Sequence, residues 1–167
     1  MLDFCSIDRD YAVARSGFQL DIPETFNFGF DVIDVHARDN DGTAVIAVSR
    51  DGETIQHVSF SQLSESSNRF ANALRALGVK PGTFAAMVVG RVPAWYTLLV
   101  GCMKAGVVSM PGTNLLTAKD IAYRINYAGA ELAIVTAEHC DKVDAIRAEC
   151  PTLKTCIVVG AEKPGWL

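Results

Sequence analysis

The sequence predicts an α/β fold in which helices cover both faces of a mostly parallel sheet. From about residue 84 onward, short apolar strands recur about every 24 residues, with helical patterns between them. Two of those helical patterns end in a glycine, Gly106 and Gly129, just before the next apolar run. Short apolar strands that alternate with helices are typical of βαβ units, whose parallel sheet is buried on both faces.

The part before residue 84 has a different pattern. Residues 1–27 are weakly patterned and are predicted to form an amino-terminal arm, and residues 28–167 form the α/β domain. This domain is predicted to start with a helix and a hairpin, at residues 28–38, 44–49 and 54–58. Asp51-Gly52 between the two strands is a strong short-range hairpin signal.

The next helix has clear signals at both ends. Ser59 followed by Gln62 is a capping box, in which each side chain bonds the other's backbone N–H. Gly78 is placed to end the helix. The repeating units then follow, with strands at 84–89, 107–110, 132–135 and 155–159 and helices from 93 to 105, 117 to 128 and 138 to 149. Gly106, between a helix and a strand, is predicted to be left-handed.

Composition excludes several classes of protein. Half of the 167 residues are hydrophobic, which excludes disorder, and the net charge of -4 gives no electrostatic footprint for nucleic acid. Three Asp among the first ten residues argue against a signal or transit peptide, so a cytoplasmic location is expected. The apolar stretch 94–110 contains Lys104 and is shorter than a membrane span, so a buried helix and strand are predicted there.

The sequence offers no metal site and no nucleophile motif. The five cysteines include no C-x-x-C pair, and they are predicted to be reduced, mostly buried thiols. The three histidines are expected at the surface or as hydrogen-bonded core residues. Gly101 to Gly106 has the glycine spacing of a P-loop but lacks the Lys and hydroxyl that hold phosphate. Lys104 is predicted to interact with its own helix dipole and the last carbonyls.

Two longer motifs carry a family resemblance. They are Gly90-Arg91-Val92-Pro93-Ala94-Trp95-Tyr96 and the stretch 101–113, GCMKAGVVSMPGT. Both resemble the amino-terminal part of the AMP-forming acyl-CoA synthetases, and K-A-G with R-x-P-x-W most resembles the medium-chain branch. Further matches are 26–28, 31–32, 59–63, 120–124, 149–153 and 165–167, so the likeness runs in order from about residue 22 to 167.

The resemblance implies a two-step ligase. ATP and a fatty or aromatic carboxylic acid form an acyl-adenylate with Mg²⁺, and CoA then takes the acyl group as a thioester. The family's phosphate loop and later motifs follow beyond this stretch, so the resemblance implies a fragment of the large domain with no catalytic residue and no bound cofactor. It implies CoA contact at Asn114 and Leu115, where Leu115 replaces a family Gln. Residues 111–115 also fit a turn that leads to a helix cap at Thr117.

Two alternatives remain at this point. One is a free-standing flavodoxin-like binding domain, although residues 84–89 end in Gly90-Arg91 where such domains often carry acidic residues. The other is a scaffold or oligomerisation piece. On the ligase interpretation, the isolated chain is expected to self-associate through an uncovered face or strand edge. It is also expected to make neither acyl-adenylate nor acyl-CoA by itself.

Overall fold

The computed structural model describes residues 11–20 and 23–167. Its helices are Tyr11–Gly17 (α1), Asp34–Asp39 (α2), Phe60–Ala76 (α3), Ala94–Ala105 (α4), Ala118–Ala128 (α5) and Cys140–Asp144 (α6). Its strands are Thr43–Val48 (β1), Ile55–Ser59 (β2), Phe84–Val88 (β3), Val108–Pro111 (β4), Leu132–Thr136 (β5) and Thr155–Val159 (β6). A π-helical turn, Gly29–Ile33, leads into α2, and 3-10 turns Ala137–His139 and Arg147–Glu149 flank α6.

The predicted arm falls partly outside the described residues, which exclude 1–10, 21 and 22. Helix α1 lies within the arm and was not expected from its weak pattern. None of its residues is buried.

The predicted parallel sheet is confirmed. Strands β3, β4, β5 and β6 form one sheet in the order β4-β3-β5-β6, and every neighbouring pair is parallel. Met87 of β3, for example, is in register with Pro111 on one side and with Ile134 on the other. Strand β5 is buried along its whole length, as expected of a central strand covered on both faces.

Each face of this sheet has its own core, because neighbouring strand residues point to opposite faces. On one face, Ala85 and Met87 pack with residues of α3 and α4, including Leu74, Leu98 and Cys102. On the other face, Ala86 and Val88 pack with residues of α5 and α6, including Ile121, Ile125 and Val143. The α/β fold with helices on both sides therefore follows from the apolar run in β3.

The hairpin is also confirmed, with β1 and β2 antiparallel and Val48 opposite Ile55. It packs against the start of the domain through a third, smaller cluster. Ile33, Leu63 and Val100 form the buried centre of that cluster, with Val58 of β2 and Phe60 of α3 packed against them. The hairpin is thus attached to the π-helical turn, α3 and α4, whereas the parallel sheet is a separate layer.

Predicted helix ends agree with the structure at three places. Ser59 and Gln62 form a complete capping box at α3, and Thr117 with Asp120 forms one at α5. Gly106 follows α4 with φ 71° and ψ 21°, which is the left-handed conformation predicted for it. A Cβ at that glycine would also lie 3.0 Å from Cβ of Pro81. A side chain there would therefore meet both backbone strain and a close neighbour.

The continuous helix predicted from 138 to 149 is wrong. The segment starts as a 3-10 turn, is α-helical over Cys140–Asp144 and closes as a second 3-10 turn, Arg147–Glu149. Ile146 leaves helical geometry at φ -112° and ψ 1°. Pro151 disfavours the α conformation at Cys150, which has φ -117° and ψ 78°. The apolar spacing identified the buried side correctly but could not show these breaks.

Lys104 has a different role from the predicted one. Its side chain is fully buried, and Nζ lies 2.5 Å from Oδ1 of Asp34 and 2.9 Å from Oδ1 of Asn68. Cγ and Cε of Lys104 approach Gly29 so closely that a Cβ there would lie 2.5 and 3.0 Å away. Lys104 therefore joins α4 to α2 and α3 instead of binding the last carbonyls of its own helix.

Candidate functional site

The strand order places a candidate site at the carboxyl edge of the sheet. The chain runs from β3 outward to β4 and then crosses to β5 on the other side of β3. Such a reversal opens a crevice at the carboxyl ends of the strands, and ligands of open α/β sheets bind there. Here the crevice lies between Gly90, which follows β3, and Glu138, which follows β5.

Two polar side chains lie close to Gly90. A Cβ at Gly90 would lie 3.5 Å from Nδ2 of Asn114 and 3.7 Å from Oε1 of Glu138. The Thr136 hydroxyl bonds the same Glu138 oxygen at 2.8 Å. The backbone N–H of Glu138 and the Thr136 hydroxyl hold the pKa of this carboxyl below its usual range. The site therefore presents a carboxylate and an amide at the strand-order reversal.

His139 lies directly behind this carboxylate. Its side chain is 7% exposed, and neither ring nitrogen has a hydrogen-bond partner within the described part of the chain. Its Nε2 is 3.8 Å from Oε1 of Glu138. Burial lowers the pKa of His139, and the charge of Lys142 lowers it further, against a smaller opposing effect of Glu138. The expectation of a surface or hydrogen-bonded histidine is therefore wrong for His139.

The loop after β4 carries the predicted site residues. It is anchored where the Gly112 N–H donates to the Met87 carbonyl at 2.8 Å and the Leu116 N–H to the Thr113 carbonyl at 3.1 Å. Leu116 folds back against Gly112, and Leu115 points outward with 86% of its surface exposed. The interpretation of this segment as a turn leading to the Thr117 cap is confirmed.

Lys142 of α6 holds this loop from a neighbouring βα unit. Its Nζ donates to the carbonyl of Asn114 at 3.2 Å and to that of Leu116 at 2.8 Å. Sequence reasoning assigned no role to Lys142 or to Glu138. The one signal for Glu138 was its position just after an apolar strand, which is weak without the strand order.

A cleft of about 840 Å³ adjoins this edge. It is bounded by β1 on one side and by residues 89–93, 95–96 and 112–115 on the other. Asn114 and Leu115 therefore lie at a cleft that Arg91 and Trp95 also line. Mixed apolar and polar walls of this size suit an extended organic ligand. The wall formed by β1 could not be deduced from the sequence.

The four cysteines within the described residues are buried thiols. Cys102, Cys140, Cys150 and Cys156 are buried and unpaired, as predicted, and Cys5 lies outside the described residues. Burial raises the pKa of all four thiols, that of Cys102 to about 12, so they are protonated and unreactive. Within residues 11–20 and 23–167, no group of three or more His, Cys, Asp or Glu could hold a metal ion.

Comparison with known proteins gives one consistent family. The model of the AMP-binding enzyme family matches residues 34–166. Human acyl-coenzyme A synthetase ACSM5, mitochondrial, is 38% identical over 154 residues, which are 87% of this chain and 26% of that protein. Mouse acyl-coenzyme A synthetase ACSM1, mitochondrial, is 39% identical over 155 residues, or 88% of this chain and 27% of its own. The chain thus spans about a quarter of these relatives.

Solved structures show the same fold. An acyl-CoA synthetase from Brucella canis superposes with a TM-score of 0.78 at 22% identity, covering 92% of this chain and 30% of its own. An anthranilate CoA ligase, AuaEII, solved with anthranoyl-AMP, superposes with a TM-score of 0.73 at 24% identity, covering 84% and 26%. The fold, the family match and the identity to acyl-coenzyme A synthetases agree, and the chain belongs to the AMP-binding enzyme family.

Proposed function

We propose that this chain is the amino-terminal part of an AMP-forming acyl-CoA ligase. With the rest of such an enzyme, a fatty or aromatic carboxylic acid would react with ATP and Mg²⁺ to give an acyl-adenylate and pyrophosphate. CoA would then displace AMP and leave as the acyl thioester. The observation that carries this proposal is the family match over residues 34–166, together with 38% identity to an acyl-CoA synthetase across most of the chain.

The contribution of this chain is structural support for one wall of the site. Transfer to phosphorus needs backbone N–H groups, a cation and Mg²⁺ around the phosphates. The sequence lacks a phosphate-binding glycine loop, and Lys104 is engaged by Asp34 and Asn68. The chain alone is therefore proposed to be inactive and to bind none of these cofactors for chemistry.

We place the CoA contact of this chain at Asn114 and Leu115. The support is their position on the rim of the cleft and at the carboxyl edge of the sheet. Leu115 cannot donate the hydrogen bond of the family Gln, so the polar contact falls to the Asn114 amide and the loop backbone. Leu115 supplies an exposed apolar surface for the pantetheine arm instead.

ATP–pyrophosphate exchange tests the proposal. The purified 167-residue chain, incubated with ATP, Mg²⁺ and a panel of fatty and aromatic acids, is expected to give exchange at background. The product of the complete reading frame is expected to give exchange that depends on the acid. Exchange by the 167-residue chain above background, and dependent on the acid, would place a working site within these residues and contradict the proposal.

Self-association of the isolated chain is a second part of the proposal. Ile46, Val48 and Ile55 lie on one face of the hairpin and are each about 60% exposed. Strands β1 and β2 contain no Asp, Glu, Lys, Arg or Pro, which are the residues that protect edge strands from pairing. This face suits a second copy of the chain when the rest of the enzyme is missing.

Light scattering at increasing concentration checks this part. The wild-type chain is expected to show a mass above that of the monomer, and Ile46→Lys is expected to restore the monomer. Leu77→Lys, at an exposed apolar position outside the hairpin, serves as the control and should behave as wild type. A monomeric wild-type chain at high concentration contradicts the proposal.

Location remains a separate expectation. The cytoplasm is the compartment we propose for this chain, whereas the relatives named above are described as mitochondrial. No helix in the described part of the chain is both long and apolar enough to cross a membrane.

A further inference from the structure

The loop after β4 is held by a lysine from another βα unit. Residues Asn114 and Leu116 both offer their carbonyls to Nζ of Lys142, at 3.2 and 2.8 Å. These two residues flank Leu115, whose side chain is exposed at the cleft rim. One ammonium group thus binds the backbone carbonyls on both sides of Leu115.

The loop has few other internal contacts at this point. The Leu115 N–H donates to the Thr113 hydroxyl at 3.3 Å, a long bond. Hydrogen bonds from an ammonium group to carbonyls are stronger than bonds between neutral groups. The bond to Leu116 is also partly shielded from water, which strengthens it further. Lys142 therefore supplies charged hydrogen bonds that constrain residues 114–116, in addition to the bond from the Leu116 N–H to the Thr113 carbonyl and the packing of Leu116.

We propose that Lys142 is a positioning residue, which fixes the 114–116 backbone so that Asn114 and Leu115 face the cleft in one arrangement. The part of the proposal that concerns Asn114 and Leu115 facing the cleft rests on the CoA contact proposed above. It assigns Lys142 no contact with substrate and no part in proton transfer. It predicts that the loop is preorganised before any ligand binds, which lowers the entropy cost of binding.

Amide hydrogen exchange tests the positioning directly. In Lys142→Met, the amides of Leu115 and Leu116 are expected to exchange about tenfold faster, while amides of β5 keep their wild-type rates. Lys142→Arg, which retains donors, is expected to restore slow exchange in the loop. Lys163→Met is the matched control, because Lys163 pairs with Asp141 and Asp144 of α6, the helix that carries Lys142, and not with the loop. Unchanged loop exchange in Lys142→Met, or equal acceleration in β5, overturns the proposal.

Titration with CoA separates positioning from the proposed function. Backbone NMR shifts of Asn114 and Leu115 are followed in the product of the complete reading frame, as wild type, Lys142→Met and Lys163→Met, because the isolated chain is not expected to bind CoA. We expect CoA to shift these resonances, and we expect the affinity for CoA obtained from the shifts to fall about fivefold or more in Lys142→Met alone. If CoA shifts nothing in the wild type while the loop exchange responds as expected, the CoA contact fails and the positioning role stands. If CoA binds the wild type and Lys142→Met equally, the positioning role in binding is wrong.

Discussion

Two buried polar side chains of this molecule differ in their hydrogen-bond partners. Lys104, at the junction of α2, α3 and α4, has 0% side-chain exposure and bonds to Asp34 and Asn68. His139, at the carboxyl edge of the sheet, has 7% side-chain exposure, and neither of its ring nitrogens has a hydrogen-bond partner within the described residues. One site is fully paired and the other is not.

The presence or absence of hydrogen-bond partners distinguishes Lys104, which has a structural role, from His139, which has no such partner among the described residues. A buried ammonium group without a partner is too costly to keep, so Lys104 requires Asp34 and fixes α2 against α4. An imidazole can remain buried in its neutral form, at the cost of unmade hydrogen bonds. Among these two, the unsatisfied side chain, His139, lies where the strand order opens a crevice, and the paired one, Lys104, lies where segments must hold together.

The largest expected effect comes from breaking the paired site. Asp34→Ala leaves the Lys104 ammonium buried without its carboxylate, and we expect the free energy of unfolding to fall by about 3 kcal/mol. Urea unfolding of the two proteins measures the difference. Glu65→Ala is the control, because it breaks the Glu65–Arg69 pair, whose two side chains are each 68% exposed, and should cost under about 1 kcal/mol.

A second variant distinguishes the pair itself from its burial. In Asp34→Leu with Lys104→Met, both charges are replaced by apolar groups, and most of the lost stability is expected to return. If the double variant is as unstable as Asp34→Ala, the ion pair does more than compensate for a buried charge. The comparison with His139 would then need another basis.

Local pattern was sufficient to predict most of the fold. The capping boxes at Ser59 and Thr117 and the left-handed Gly106 depend on residues close in sequence, and all were predicted. The apolar run of β3 predicted a strand covered on both faces, because the residues that point to either face are apolar. The broken helix around Ile146 was missed, since its breaks depend on how the chain must reach Cys150 and β6.

The candidate site depends on distant contacts, and the sequence indicated it poorly. Lys142 and Asn114, whose carbonyl it bonds, are separated by 28 positions, and no periodic pattern connects them. Only the strand order showed that Glu138 and Lys142 belong to the candidate site. That order, with the second strand of the sheet beside the first and the third on the other side, is also the beginning of the flavodoxin-like order. Topology therefore does not separate the ligase interpretation from the flavodoxin-like alternative, and the family match does.

The unpaired site should reveal itself through pH. Burial and Lys142 lower the pKa of His139 in the folded chain, against a smaller opposing effect of Glu138. The unfolded chain, where an ordinary histidine titrates near about 6.5, then binds more protons below that pH than the folded chain does. Stability supplied by neutral His139 is therefore fully present above about pH 6.5 and is lost as the pH falls further.

Urea unfolding between pH 7.5 and 5 measures this smaller effect. For one proton, the slope cannot exceed about 1.4 kcal/mol per pH unit. His139→Leu, which keeps an apolar side chain of similar size, is expected to flatten the curve in this window. Lys142→Met should reduce the slope partly, because it removes a nearby positive charge that opposes protonation. The carboxylates whose pKa is lowered, including Glu138, lose their contribution only below about pH 4.5, so they do not obscure the window. A wild-type curve as flat as that of His139→Leu would show that folding does not lower the pKa of His139. The contrast with Lys104 would then disappear.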